Sequence, residues 1–579
     1  SGDSDGSRAA LGSDERPSIA VLPLANRSER EEDAFFTDAF HDELLTRLAM
    51  IGGLKVISRT SVLSYGERPT KSLRSIGEEL DARYIMEGGA FRADDHVRIN
   101  LQLIDALEDA HLWARTFDVE IAVENLISVQ EEVAREVAAA VEAEVRPAEL
   151  VAIGVAPTLD RQAYELYLRG RQLYGRSYRS EDLAEAEGLF QRAVAIDSSF
   201  ALAWSFLSAT AARRYFLHHA RDEDTSSLAW AAANRATELA PDLPQTHFAL
   251  GEYYYHVLMD LGRALQEYLI AHRGSPNDDE ITAGIGYIKR RQGDWWQARD
   301  YLEEALEYNP LSGNLLWDLG ETQYGLRLYP DAVRTFERLI SLVPDRTGAY
   351  AYLSRLHLSW NGDTDRARQT LRRAPAWEPS SSANLVLSAP MNVELVDRDY
   401  QAALALLQAA PEVLEDQFQL RPRSLLAAQV NQLLVDTMAA RLHFDSARVV
   451  IEQRLTEAPD DQRLYSALGL ALAGLGRHSE AIIAARRGLA IMPAQREAWK
   501  GMYGHEALAR VYAMAGDYES AMRELERIVS HPCILGVPPL RLDPFWDLLR
   551  GEPRFENLVR ESEAPLVQPR RPAVPVTSP

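Results

Sequence analysis

The sequence has a single cysteine, Cys533, in 579 residues. One thiol excludes an intramolecular disulfide and any metal site built from several thiolates. Long apolar runs are also missing, since none approaches the ~18 residues that a helix needs to cross a bilayer. We therefore expect no membrane insertion by this chain.

Lysine is scarce as well, because only four of the 62 basic residues are lysine and the rest are arginine. Acidic residues outnumber basic ones by 86 to 62, which gives a formal net charge of −24. Phosphate binding needs clustered cations, so this charge disfavours nucleic acid and anionic membranes as partners.

Short catalytic motifs are absent. The sequence has no glycine-rich phosphate loop ending in Lys-Ser or Lys-Thr, no G-x-S-x-G and no H-E-x-x-H. His505 and Glu506 begin like the zinc motif, but Ala509 stands where its second histidine belongs. Three other groups allow a chemical interpretation, although a structural or solvated role is simpler: His218 and His219 in a polar loop, Asp38, His41, Asp42 and Glu43 on one helix, and Cys533 after His531 and Pro532. The sequence therefore predicts no catalytic residue, no cofactor and no metal.

What the sequence does have is a repeat. Prolines recur in steps of 35, 34, 34 and 35 residues at Pro241, Pro276, Pro310, Pro344 and Pro379. Each step repeats a small-residue pair, then an alanine, then a bulky residue: Leu250-Gly251, Ala264 and Tyr268; Ile285-Gly286, Ala298 and Leu302; Leu319-Gly320, Ala332 and Phe336; Leu353-Ser354, Ala367 and Leu371.

A period near 34 with these residue types resembles tetratricopeptide (TPR) repeats. Small residues allow two antiparallel helices to cross closely, bulky residues fill the space to the next pair, and proline ends the second helix. We predict an all-α superhelical solenoid of about ten helix pairs over residues 160–532, with degenerate pairs after Pro379 and a proline-interrupted stretch at Pro411 and Pro422. A capping helix is expected over 538–562, a flexible linker over 1–15 and a proline-rich disordered tail over 563–579.

Residues 16–147 follow a different pattern, in which short β-rich runs alternate with amphipathic helices. The predicted strands are 18–24, 54–58, 83–91, 96–106 and 111–118, and the predicted helices are 32–50, 72–81 and 123–145. This order predicts an α/β layer with a mixed sheet, so that the chain is multidomain.

The residues of this portion also resemble a known module. The runs "IAVLPLANRS" and "IGEELDARYIMEGGAFRADDHVRINLQLIDALEDAHLWARTFD" resemble the TolB-like N-terminal domain of bacterial multidomain proteins, over about residues 17–145. The resemblance implies a module without catalytic activity of its own, which in related architectures lies beside kinase, nucleotide-cyclase or winged-helix output domains. It leaves the side of the bacterial membrane open, with the extracytoplasmic side as our expectation.

In TPR folds the first helix of each pair lines the concave face. Spacing assigns ten residues to this face as candidate partner-binding residues: Phe248, Glu252, Tyr255, Tyr287, Arg290, Arg291, Trp317, Glu321, Tyr324 and Arg355. Aromatic and arginine side chains suit recognition of a protein or peptide. An alternative is that several of them pack between neighbouring pairs.

We therefore expect a non-enzymatic protein-interaction scaffold that binds a protein or peptide partner. One alternative is the sensory or regulatory part of a membrane kinase or cyclase whose output domain lies upstream of Ser1. Another is a structural protein that self-assembles into a homo-oligomer or filament through the solenoid.

Overall fold

The computed structural model describes residues 16–28, 32–66, 70–93, 95–147, 149, 153, 157–176, 179–217, 220, 222–376, 383–534, 537–561 and 565–568. The predicted linker, His218, His219, Pro379 and most of the predicted tail lie outside these ranges. The chain forms two compact units. Unit 1 comprises residues 1–288 and 303–312, and unit 2 comprises residues 289–302 and 313–579.

Unit 1 begins with a mixed sheet, as the sequence predicts. Its strands are β1 (Ser18–Val21), β2 (Ala25–Asn26), β3 (Lys55–Val56), β4 (Tyr84–Ala93), β5 (His96–Asp105) and β6 (Ala110–Glu120). The strand order is β3-β1-β4-β5-β6, and β2 pairs with β4. β1 runs parallel to β3 and β4, whereas β4, β5 and β6 form an antiparallel meander.

The meander follows from side-chain alternation. In β5, Val97, Ile99, Leu101 and Leu103 are buried, and residues of lower burial lie between them, which is the two-residue period of a strand with one face in the core. The turn after β5 is stabilised by Asp105, whose Oδ1 accepts the backbone N–H groups of Leu107 at 3.0 Å and Glu108 at 3.1 Å.

Four helices accompany the sheet: α1 (Glu32–Ala49), α2 (Arg59–Leu63), α3 (Leu73–Leu80) and α4 (Val123–Ala140). Their apolar faces share one core with the strands, and its fully buried members include Ile19, Val21, Leu44, Leu48, Ile76, Ile85, Ile99, Val133 and Val137. Ser72 caps α3 by accepting the backbone N–H of Ser75 at 3.2 Å, as its sequence predicts.

The rest of unit 1 consists of paired helices. They are α5 (Arg161–Arg176), α6 (Ser180–Ile196), α7 (Ala201–Phe216), α8 (Glu223–Leu239), α9 (Pro244–His256) and α10 (Leu261–Gly274). Consecutive members pack along their length across short connections, which makes each pair antiparallel. Two further helices, α11 (Asp279–Arg291) and α12 (Trp295–Tyr308), contribute residues to both units.

Unit 2 continues with α13 (Gly313–Gly325), α14 (Tyr329–Leu342), α15 (Thr347–Asn361), α16 (Thr364–Arg373), α17 (Ala383–Val396), α18 (Tyr400–Leu406), α19 (Arg423–Leu433), α20 (Thr437–Glu457), α21 (Gln462–Gly474), α22 (His478–Ile491), α23 (Ala498–Met514) and α24 (Tyr518–Val529). A small antiparallel hairpin, β7 (Val413–Glu415) and β8 (Leu420–Pro422), lies in the proline-interrupted stretch between α18 and α19.

The segment expected to cap the array forms three short elements, α25 (Val537–Leu542), a 3-10 helix (Pro544–Leu549) and α26 (Pro553–Glu561). Its apolar side chains share a buried cluster with α24 and so cover the last pair: Trp546, Leu549, Phe555, Leu558 and Val559 pack with Leu525, Ile528 and Val529.

Proline ends the second helix of several pairs. α8, α10 and α14 stop two residues before Pro241, Pro276 and Pro344. Because the residue before a proline is disfavoured in the α conformation, the helix must end at about this point.

Glycine marks the places where two helices cross closely. A Cβ atom added to Gly251 would lie 2.7 Å from the Tyr268 ring, and one added to Gly320 would lie 2.6 Å from the Phe336 ring. In both pairs the first helix therefore lacks a side chain where an aromatic ring of the second helix packs against it. In these two pairs, the glycine and the bulky residue of the repeat pattern therefore contact each other.

This contact predicts the effect of Gly251→Ala. The new methyl must push the buried Tyr268 ring aside, so we expect a loss of about 1–3 kcal/mol in the free energy of unfolding. The matched control is Gly188→Ala in α6, where a Cβ meets nothing within 4 Å. The control should raise stability by about 0.5–1 kcal/mol, since alanine is the better helix former. Denaturant unfolding followed by circular dichroism measures both, and equal effects of the two substitutions would contradict the close crossing.

Candidate functional site

The ten candidate residues lie on four helices. Phe248, Glu252 and Tyr255 are on α9, Tyr287, Arg290 and Arg291 on α11, Trp317, Glu321 and Tyr324 on α13, and Arg355 on α15. Tyr287, Trp317 and Arg355 are half-buried and the other seven are buried. Their role in partner binding stays a prediction, because the structure engages most of them in contacts within the chain.

Phe248 and Tyr255 pack among aromatic rings of unit 1. The Phe248 ring centroid lies 6.2 Å from that of Phe206 and 5.8 Å from that of Tyr268, with the latter pair edge-on. Tyr255 lies 6.0 Å from Phe216. Such offset and edge-on pairs stabilise the packing of neighbouring helices.

Glu252 is a buried carboxylate with several partners. Its Oε1 accepts a hydrogen bond from the Tyr268 hydroxyl, and its Oε2 lies 3.2 Å from Nδ1 of His256 and 3.4 Å from Nη2 of Arg213. Burial alone would raise the pKa of Glu252, but His256, Arg213 and the Tyr268 hydroxyl lower it to about 2. Glu252 is therefore ionised at neutral pH and stabilises the fold through its partners.

Arg213 connects this carboxylate to the start of α11, because its Nη2 also donates to Glu280. The two preceding residues are acidic too. Asp278 Oδ1 accepts the backbone N–H groups of Glu280 at 3.0 Å and Ile281 at 3.1 Å, which caps the helix. Asp279 Oδ2 accepts a hydrogen bond of 2.7 Å from Asn309.

Asp278, Asp279 and Glu280 are three adjacent, half-buried carboxylates, and their negative charges repel one another. Burial, followed by repulsion from Asp279 and Glu280, raises the pKa of Asp278 to about 7. Burial likewise raises the pKa of Asp279 to about 6, against the hydrogen bond from Asn309. Both groups therefore hold a proton more readily in the folded state than in the unfolded chain.

Residues near these acids form hydrogen bonds with the sheet domain of unit 1. Asn277 Nδ2 donates to the carbonyls of Ala49 and Ile51, each at 3.1 Å. Ser61 Oγ donates to Asn309 Oδ1 at 2.7 Å, and Arg16 Nη2 donates to the Tyr308 hydroxyl at 3.1 Å. Within unit 1 the α/β domain and the repeats are thus joined by specific polar contacts, which the sequence did not reveal.

In the titratable group on α1, His41 and Glu43 are buried, whereas Asp38 and Asp42 are half-buried. His41 Nε2 lies 2.8 Å from the Val21 carbonyl, and burial lowers the pKa of His41 to about 4. Glu43 pairs with Arg47 at 2.9 Å, and Arg47 also donates to Gln130 at 3.0 Å. These partners support a structural role for the group.

In unit 2, the adjacent residues Arg290 and Arg291 contact different partners. Arg290 Nη2 donates to Asp318 Oδ1 at 2.7 Å, and its guanidinium lies 4.4 Å from the Trp499 ring centroid. Arg291 Nη2 donates to Gln417 Oε1 at 3.0 Å. Residues of α11 therefore contact α23 and the β7–β8 hairpin, more than 100 positions further along the chain.

Glu321 and its neighbours form a second buried network. The Tyr352 hydroxyl donates to Glu321 Oε1, and Arg290 Nη1 lies 3.6 Å from Oε2. Burial raises the pKa of Glu321 to about 7 even though Arg290 opposes the shift. Trp317 packs edge-on against Tyr352 at 5.0 Å.

The sequence interpretation missed Phe418, at the tip of the β7–β8 hairpin. Its ring lies 4.5 Å from the Trp499 ring and 4.9 Å from the Tyr503 ring, stacked on the latter at 14°. The one available signal was the pair of prolines that interrupts the repeats around it. We call Arg290, Arg291, Phe418, Trp499 and Tyr503 the arginine–aromatic cluster.

Among the described residues, no group of three or more His, Cys, Asp or Glu side chains is arranged to hold a metal ion. No helix within the described ranges combines the length and apolarity that crossing a membrane requires.

Two family models match parts of the chain. The tetratricopeptide repeat model matches residues 284–347 and 318–382, which confirms the TPR repeats predicted from the 34-residue period. Residues 14–136 match the second domain of HilA/YgeH-like transcriptional regulators. The family model for this portion is therefore not the TolB-like domain that its residues resemble.

Individual proteins are also similar to parts of the chain. A Rhizobium meliloti (strain 1021) protein named "Putative adenylate cyclase 3" is 32% identical over 236 residues, which is 41% of this chain and 40% of that protein. The chain thus matches less than half of the length of this relative. Among solved structures, human IFIT1 with m7Gppp-AAAA is 13% identical with a TM-score of 0.36, covering 64% of this chain and 78% of that one. PilF of Pseudomonas aeruginosa is 16% identical with a TM-score of 0.29, covering 35% and 89%.

The contacts of Glu252 predict the effect of Glu252→Gln. The substitution removes the buried negative charge that faces His256 and Arg213 and leaves Arg213 with Glu280 alone, so at pH 7 we expect a loss on the order of 3 kcal/mol in stability. Because the folded-state pKa is lowered, the stability supplied by Glu252 is present above about pH 4.5 and is lost as the pH falls toward 2. The difference between variant and wild type should shrink over that interval in thermal unfolding. Glu238→Gln, at a more exposed ion pair with Arg235, is the control and should change little. A pH-independent difference would contradict the assignment.

The raised pKa of Asp278 predicts the opposite dependence. The folded protein keeps a proton between about pH 4 and 7 that the unfolded chain releases, so the contribution of this group to stability falls as the pH rises through that interval. Asp278→Asn keeps the helix cap without the charge. It should raise stability by about 1 kcal/mol at pH 8 and have no effect near pH 4. Asp222→Asn changes an exposed helix cap and should not raise the melting temperature at pH 8. A lower melting temperature of Asp278→Asn at pH 8 would refute the interpretation.

Proposed function

We propose that the protein is a non-enzymatic scaffold that binds a protein or peptide partner through its TPR array. The observation that carries this proposal is the TPR match over residues 284–382, in helices that bear the arginine and aromatic residues Arg290, Trp317, Tyr324 and Arg355. Repeats of this kind present continuous surfaces, and their function lies in what those surfaces hold.

The residue types favour a polypeptide as the partner. Arginine, tryptophan and tyrosine dominate the binding energy of protein interfaces, because they bury much area with few rotatable bonds. The net charge of −24 opposes binding to nucleic acid. The ten candidate residues would take part chiefly by shaping the inner surface, since most of them already have partners in the chain.

Photo-crosslinking tests the scaffold. A photoreactive residue at Gln417, which is exposed next to the arginine–aromatic cluster, should give a discrete adduct with one protein in living cells. The control position is Glu78, exposed on α3 of the α/β domain. The same adducts at both positions, or catalytic turnover by the stringently purified chain, would contradict the proposal.

A second candidate function is regulation of an output domain. It is supported by the similarity of 236 residues to the adenylate cyclase relative and of residues 14–136 to a transcriptional-regulator domain. In this form the α/β domain, with its TolB-like residues, and the repeats would be the sensory part of a longer protein. The coding sequence upstream of Ser1 tests this second function. A cyclase, kinase or DNA-binding domain encoded there favours regulation, and an in-frame stop codon there rejects it.

A further inference from the structure

We propose that Arg290, Arg291, Trp499 and Tyr503 of the arginine–aromatic cluster form a recognition pocket for a phenylalanine-bearing turn of a partner protein, and that the chain's own β7–β8 turn, with Phe418, occupies this pocket until the partner displaces it. The inference rests on the proposed scaffold function and adds the chemistry of the partner. The observation behind it is that residues 416–419 of the chain pack against these side chains in the way that a bound peptide would.

Two aromatic rings of α23 line the side of the pocket against which Phe418 packs. Phe418 is half-buried and stacks on Tyr503, with Trp499 beside it, and both rings come from α23. Trp499 is fully buried and is fixed from its other sides by Trp295 at 5.5 Å and by the Arg290 guanidinium. The Trp499 ring is therefore held in place by contacts that do not involve Phe418.

Arginine side chains hold the polar part of the turn. Arg291 donates to the Gln417 side chain at 3.0 Å, and Arg463 of α21 donates to the backbone carbonyl of Asp416. These contacts come from two helices that are distant in sequence from the hairpin. They recognise a backbone carbonyl, a side-chain amide and an aromatic ring, which are groups that a turn of another protein also offers.

The turn is organised by its own residues. Asp416 Oδ1 accepts the backbone N–H groups of Phe418 at 2.7 Å and Gln419 at 2.8 Å, and the backbone N–H of Asp416 bonds to the Gln419 carbonyl at 2.9 Å. An Asx turn of this kind forms locally. The matching partner segment is a turn that begins with Asp or Asn and carries phenylalanine two residues later.

The two strands of the hairpin are anchored, and the proposal requires only its tip to move. Leu414 and Leu420 are buried in apolar clusters and anchor the two strands. Each strand has only three residues, and an isolated hairpin of that size is weak. Only residues 416–419 need to swing out for the pocket to open.

The test uses the purified full chain and a synthetic probe, a cyclised peptide with the sequence of residues 412–423 carrying a fluorophore. Phe418→Ala removes the aromatic ring from the pocket, so that the chain's own turn competes less well, and leaves Leu414 and Leu420 in place. Because a tethered turn competes at an effective concentration of about millimolar, the variant should bind the probe at least ~10-fold more tightly than the wild type. Fluorescence polarisation measures the affinity.

Three controls define the pocket. A probe with alanine in place of its phenylalanine should lose the gain in affinity. Tyr503→Ala, added to Phe418→Ala, should lose it too, because the stacking surface is gone. Tyr518→Ala, at an exposed tyrosine of α24 outside the pocket, should keep it.

A folded Phe418→Ala variant that binds the probe no better than the wild type overturns the proposal, since Phe418 would then be only a packing residue. If the variant loses its helical circular dichroism, the wild type with about millimolar probe decides. Faster hydrogen exchange at residues 416–419 on adding that probe supports displacement, and unchanged exchange overturns it. A partner crosslinked at Gln417 despite a negative probe result would retain the scaffold function and reject this pocket.

Discussion

The structure depends on the close approach of two helices at a glycine, where an aromatic ring from the second helix fills the space that the missing side chain leaves. Tyr268 packs against Gly251 in this way, and Phe336 packs against Gly320. One such pair cannot cover its own apolar side, so each pair needs the next one, and the last needs the segment that contains Trp546 and Phe555. The same contact thus stabilises two of the pairs, and the stacking of each pair on the next stabilises the array.

The first helices of the pairs carry charged residues into this packed framework, and the surroundings of each residue determine its pKa. Glu252 has an arginine, a histidine and a tyrosine hydroxyl as partners, and its pKa falls to about 2. Glu321 occupies the corresponding helix of unit 2 with one arginine nearby, and burial raises its pKa to about 7. Residues that a repeat pattern marks as free for a ligand thus serve first to connect neighbouring helices. A partner can gain affinity mainly where such contacts can be exchanged for its own, and the Phe418 turn is the clearest place for that exchange.

Much of the fold could be predicted from the sequence, because its signals are local. The prolines at 241, 276 and 344 end helices through a steric effect on the preceding residue, and the alternation in β5 predicts a strand with one buried face. The candidate site could be predicted only in its residue types. Whether Arg291 is open to a partner depends on Gln417, 126 positions away, and the contact of Ser61 with Asn309 spans 248. Pattern and period carry no information about such pairs.

The central claim is the proposal for unit 2: without a partner, the β7–β8 turn occupies the recognition pocket, and this turn is less firmly held than the helices around it. Hydrogen exchange of the unmodified chain, resolved to single amides, tests it directly. The account predicts that the amides of Asp416, Phe418 and Gln419 exchange more slowly than unstructured peptide and faster than those of α19 and α23. Exchange of the turn as slow as that of both helices would make it a permanent part of the core, and exchange at the rate of unstructured peptide would mean that the pocket is open; either result contradicts the account.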